Sequence, residues 1–104
     1  MQRKILNKNS YDYFNIIEQS EVIIVDISSS DKKDPSLMNY VNEIDERIPV
    51  IALDSYTERV YADSILKKGA SAYLPFSCFA DELEDALSNV LQDRSYISKR
   101  ICTQ

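Results

Sequence analysis

A parallel α/β sheet of about four strands, with helices on both faces, is predicted by three features of this 104-residue sequence. The run Val22 to Ile27 in EVIIVDI is β-branched and almost continuously apolar, as a strand buried on both faces requires. A second such run follows Pro49 (PVIAL, Val50 to Leu53), and a third, shorter one spans Ser71 to Leu74 in GASAYLP. Segments of helical period fill the gaps with short connections, and strand alternating with helix selects a parallel sheet covered on both sides.

Each element has its own signals. Arg3 to Leu6 is a candidate N-terminal strand, followed by a short helix around Ser10 to Gln19 with Phe14, Ile16 and Ile17 apolar. Asp34 as N-cap and Pro35 at the first helical position open a helix with Leu37, Met38, Val41 and Ile44 on one face. Ser55 and Glu58 form a capping box for a helix carrying Val60, Tyr61, Ile65 and Leu66, and Gly69, the only glycine, stands where a left-handed C-terminal residue belongs. The last helix, about Phe79 to Leu91, turns Phe79, Leu83, Leu87, Val90 and Leu91 inward. Its Asp81, Glu82, Glu84 and Asp85 crowd the positive end of the dipole and read as solvated surface, or as a docking face for a basic partner. The loop SSSDKKD, Ser28 to Asp34, follows the C-terminal end of the central strand, where open α/β sheets carry their sites.

Length and composition narrow the function. The chain is enough for one core and too short for two, with 44% hydrophobic and 28% charged residues. A net charge of −5 without a dense basic cluster speaks against direct DNA binding. No apolar run reaches the roughly 18 to 20 residues of a membrane span, and the N-terminus lacks a signal-peptide core, so a cytoplasmic location is expected. There is no histidine, which removes Ser/His and Cys/His catalysis and most zinc sites. Two cysteines, Cys78 and Cys102, suggest neither a disulfide framework nor a metal knuckle. No enzyme activity and no cofactor are expected.

From about Val22 to Ile101 the sequence resembles the receiver domains of two-component response regulators, in particular those of the LuxR/NarL type. The resemblance rests on EVIIVDI with Asp26 at the strand end, on IPVIAL, on the helix ending LKKGASAYL, on the acidic ELEDALSNVL helix and on the tail DRSYISKRI. It implies a flavodoxin-like sheet, a pseudo-receiver domain over residues 1–92, and a tail or linker over 93–104 toward an output domain. The stretch before Asp26 is too short for the usual first strand, first helix and second strand, so either one βα unit is absent or the N-terminus is rebuilt.

The family's chemistry is phosphoryl transfer to an aspartate, supported by Mg²⁺ on an acidic pair, a Thr or Ser hydroxyl and a lysine, which offset charge developing on the transferred oxygens. By that resemblance Asp26 matches the phospho-acceptor. The hydroxyl position falls on Asp54, with Ser55 next to it; the lysine position falls on Phe76 and the following proline on Ser77; Asn7 and Lys8 stand where an acidic pair would. A carboxylate in place of a hydroxyl and a phenyl ring in place of an ammonium both act against phosphorylation. The plainer role of Asp26 is to cap the next loop or pair with Lys8, Lys32 or Lys33.

The expectation is a non-catalytic, phosphorylation-independent module. Tyr73 takes the family's switch-aromatic position, and Tyr56, Tyr73 and Phe76 are the candidate interaction surface, against the plainer reading that these rings are core or edge residues. The partner is a second copy or a regulatory protein, with DNA reached only through a separate output domain and no membrane contact. The alternatives are a ligand- or cation-binding switch over Asp26 and Asp54, with Asp31 or Asp34 from the loop, and a receiver still phosphorylated on Asp26.

Overall fold

The computed structural model describes residues 3–6, 21–27, 42–43 and 47–101. Strands β1 (Arg3–Leu6), β2 (Val22–Asp26), β3 (Val50–Asp54), β4 (Ala72–Pro75) and β5 (Tyr96–Ile97) form one sheet in the order β1-β2-β3-β4-β5, with every neighbour parallel. Helix α1 (Arg59–Lys67) lies between β3 and β4; a 3₁₀ turn, Phe76–Cys78, and helix α2 (Phe79–Val90) lie between β4 and β5. The expected helix at 10–19, the loop at 28–34 and the start of the helix opening at 34–35 fall outside the described residues; residues 42 and 43, within the span of that second helix, are helical.

Both faces of the sheet are covered, which is why the strand sequences are continuously apolar instead of alternating. On one face Ile23 and Val25, Val50 and Ala52, and Tyr73 pack with Ala62 and Ile65 of α1. On the other, Val22 and Ile24, Ile51 and Leu53, and Ala72 and Leu74 pack with Ala86, Leu87 and Val90 of α2. All five residues of β3 are buried.

The sequential order has a structural meaning. A doubly wound sheet of order 2-1-3-4-5 becomes sequential when its second strand is omitted. The arrangement of β1 beside β2 therefore corresponds to the absence of one βα unit among the described residues. Beyond the four expected strands, residues 96–97 of the stretch read as a tail run beside β4, with Tyr96 opposite Ala72 and Ile97 opposite Tyr73.

The steps from β3 to β4 and from β4 to β5 go the same way across the sheet, yet α1 and α2 lie on opposite faces. The two crossovers therefore have opposite hands, in a class of connection that is right-handed about 98% of the time.

Local chemistry sets the ends of α1. Its C-terminus closes as a Schellman motif: the Gly69 amide donates to the Leu66 carbonyl at 3.1 Å and the Ala70 amide to the Ile65 carbonyl at 3.3 Å. Gly69 takes φ +118°, which only glycine adopts readily, and a Cβ there would collide with the Asn42 side-chain amide. At the other end, the expected Ser55/Glu58 capping box does not form. Glu58 is the N-cap residue without a side-chain cap bond, and the Ser55 amide is taken by Asp54 instead.

Ile51→Ala, at a fully buried position of the central strand, should lower the urea-unfolding free energy by about 2–5 kcal/mol. Val60→Ala, at a position 66% exposed on α1, should change it by no more than about 0.5 kcal/mol.

Candidate functional site

The C-terminal ends of β2, β3 and β4 bring together most of the residues singled out in the sequence. Asp26 ends β2, half-buried, with its Cα opposite that of Leu53. Asp54 ends β3 and is only 5% exposed.

Tyr73 sits in β4 with its Cα opposite that of Ala52, two residues before Asp54. Two residues of strand advance about 6.6 Å, close to the reach of a tyrosine side chain leaning along its strand. The Tyr73 hydroxyl accordingly meets Asp54 Oδ2 at 3.0 Å and the Tyr56 carbonyl at 3.1 Å. One hydroxyl proton faces two acceptors. The other carboxylate oxygen, Oδ1, accepts the Ser55 amide at 2.8 Å.

This arrangement gives both oxygens of a buried carboxyl group a partner. A buried carboxylate is tolerated when its oxygens are hydrogen-bonded. Tyr73 is wholly buried, and its own ionisation is pushed far above the ordinary tyrosine value, first by burial and then by the neighbouring Asp54 carboxylate.

The remaining aromatics divide. Tyr56 is half-buried, its carbonyl held by Tyr73 and its ring stacked on Tyr61 with centroids 4.4 Å apart and 23° between planes. Phe76, just past β4, is 45% exposed and Ser77 beside it is also exposed. Tyr73 is therefore core, and Tyr56 and Phe76 are the members of the expected surface that reach solvent. Among the described residues no group of three His, Cys, Asp or Glu side chains could hold a metal ion; Asp31 and Asp34, the other expected ligands, are outside them.

A second buried carboxylate escaped the sequence reading. Glu82, expected on a solvated acidic face, is 7% exposed. Its Oε1 accepts the Tyr96 hydroxyl at 2.6 Å and the Lys99 amide at 3.1 Å, and its Oε2 accepts the Ser98 hydroxyl at 2.8 Å. Burial pushes its pKa up, but the Tyr96, Ser98 and Lys99 donors and the Cys78 thiol outweigh that and hold it below the ordinary glutamate value. The signal was in the spacing: 79, 82, 83, 86, 87 and 90 are the i, i+3, i+4 positions of one stripe, and Glu82 lies on it.

Away from both carboxylates, an open cavity of about 280 Å³ lies at the N-terminal edge of the sheet, beside Pro49 and Ser71, which precede β3 and β4. Arg47, Asp93 and Arg94 give it charges of both signs.

No protein family and no curated protein matches the sequence. Solved structures do. Two structures of the S207C variant of the Salmonella typhimurium RcsB response regulator, described in terms of conformational dynamism for DNA interaction, superpose on 80% of the chain with TM-scores of 0.66 and 0.64.

The fold is receiver-like. Sequence identity to both is 15%, and the chain spans about two fifths of their length, 42% and 41%. Within the receiver-like frame Asp26, Asp54 and Tyr73 occupy adjacent parallel strands at the edge where such sheets carry their sites.

Two measurements probe these carboxylates. Tyr73→Phe should cost about 1–3 kcal/mol in denaturant unfolding, because Asp54 Oδ2 and the Tyr56 carbonyl lose their donor in a buried place. For Glu82, a folded-state pKa below the unfolded one means that its stabilisation is complete above the ordinary glutamate range and fades as pH falls through the folded value. Thermal midpoints between pH 7 and pH 3 should therefore drop more steeply in the wild type than in Glu82→Gln.

Proposed function

We propose that this chain is a pseudo-receiver: a non-catalytic module that binds a protein partner, a second copy or a regulatory protein, without phosphorylation control. The observation that supports this best is the buried bond between Tyr73 and Asp54. A receiver needs a hydroxyl at the Asp54 position to meet the phosphoryl group and a movable aromatic to report it. Here the position bears a negative charge, and the aromatic hydroxyl is spent on that charge.

The surrounding residues agree. Phe76 supplies no counter-charge where a lysine would, and the sequence has Asn7 and Lys8 in place of the metal-binding acidic pair. A phosphoryl group on Asp26 would meet a second carboxylate and no ammonium from Phe76, so its developing charge would be poorly offset. Both oxygens of Asp54 are occupied by protein donors, which also leaves that carboxylate poorly placed to hold a cation.

What remains is a receiver-like body with its switch aromatic held inward and two rings, Tyr56 and Phe76, reaching solvent beside it. Aromatic side chains present large contact area at low entropic cost and anchor interfaces. The setting that fits is transcriptional regulation or signalling in the cytoplasm, with DNA contacted through a separate output domain.

Acetyl phosphate with Mg²⁺ should leave Asp26 unmodified by mass spectrometry after borohydride trapping, and beryllofluoride should leave the solution mass and melting temperature unchanged. A trapped adduct on Asp26, or a mass that shifts with beryllofluoride, overturns the proposal. Phe76→Ala should weaken partner binding about tenfold or more while changing the unfolding free energy by less than about 1 kcal/mol, since the residue is 45% exposed.

A further inference from the structure

The segment after α2 occupies a groove that every copy of this chain carries. We propose that this groove, made by the outer edge of β4 and the acidic face of α2, is an interaction surface for residues 93–101 of a second copy, so that two chains pair by exchanging β5.

The groove is specific for the sequence it holds. Along the strand edge, the Tyr96 amide donates to the Ser71 carbonyl and the Ser98 amide to the Tyr73 carbonyl, each at 3.0 Å. The hydroxyls of Tyr96 and Ser98, two residues apart and so on one side of an extended chain, meet the two oxygens of Glu82. Beyond them Lys99 Nζ faces Asp85 and Arg100 faces Asp81, both at 3.8 Å, and Ile101 is buried in the opposite core. The basic residues that face the acidic side of α2 are Lys99 and Arg100 of this same sequence.

The attachment of that segment to its own body is the weak point. Only two residues pair as strand. The hinge, residues 91–95, is exposed throughout. It turns back through a Schellman motif, in which the Asp93 amide bonds the Val90 carbonyl at 3.2 Å and the Arg94 amide the Asn89 carbonyl at 2.9 Å. The turn puts Asp93 at φ +62°, a position that glycine fills in most such motifs.

An extended hinge relieves that conformation and sends the segment away from its own groove, into the equivalent one of a second molecule. The contacts re-formed there are the same contacts, so exchange loses only the hinge turn. Strained short hinges favour this outcome.

The first test is the hinge. Asp93→Pro cannot adopt a positive φ, so its segment cannot return to its own groove. At tens of micromolar it should run at twice the monomer mass in light scattering, with the Tyr96 and Ser98 amides still protected from exchange, whereas Asp93→Gly should favour the monomer. A folded Asp93→Pro variant that stays at monomer mass overturns the proposal.

The second test is complementation and is independent of the hinge. Glu82→Lys spoils the groove and leaves the segment intact; Ser98→Asp spoils the segment and leaves the groove intact. Mixed, they should form a one-to-one dimer of doubled mass that neither forms alone, and a mixture that remains monomeric overturns the proposal. Neither test alters Tyr56 or Phe76, so its failure is separable from failure of the aromatic-face reading.

Discussion

A carboxylate at the end of a completely buried strand has to be answered by a donor, and Tyr73 answers Asp54. The central strand β3 leaves none of its five residues to solvent, so the chain reaches Asp54 inside the core. Tyr73 supplies its donor from the neighbouring strand, which requires the register that sets Tyr73 beside Ala52. A one-residue slip would turn Tyr73 to the other face and strand the carboxylate. The same hydroxyl bonds the Tyr56 carbonyl and so anchors the loop into α1. Register, loop path and helix start thus hang on one buried pair.

Glu82 poses the same physical problem with a different outcome. Its donors at 2.6 to 3.1 Å come from residues 96–99, which follow α2, and the Cys78 thiol of the turn before α2 stands beside them. Asp54 is satisfied within the body of the fold. Three of Glu82's hydrogen bonds are made by the docked segment that follows α2. A hydrogen-bonded buried charge adds little net stability over an apolar residue, but it strongly selects the segment that fits it.

The receiver-like frame places these two sites on different surfaces. Asp26, Asp54 and Tyr73 lie at the C-terminal edge of the sheet; Glu82 and the β5 segment lie along its side, on the face covered by α2. In the functional reading offered above, the first is a disused switch whose packing fixes one conformation. The second is a contact surface already occupied by its own ligand.

Strands β1 to β4, both described helices and the receiver-like class were legible in the sequence, because apolar run length and helical period depend on burial of whole faces; β5, in a stretch read as a tail, was not. Gly69 was legible for the same kind of local reason: the turn after α1 needs a positive φ. The sequence also placed Asp54 and Tyr73 in their strands, and Asp26 at the end of β2. Pairing across 19 residues, the failure of Ser55 to cap α1, and the burial of Glu82 were decided only in three dimensions. A hydrogen bond depends on where two distant atoms meet, and a glutamate on an apolar stripe is surface or core according to what packs over it. By itself the sequence determined which strands and helix faces leave water, though Leu91, expected inward, is 45% exposed; the tertiary structure decided which polar groups went with them and which donors they found there.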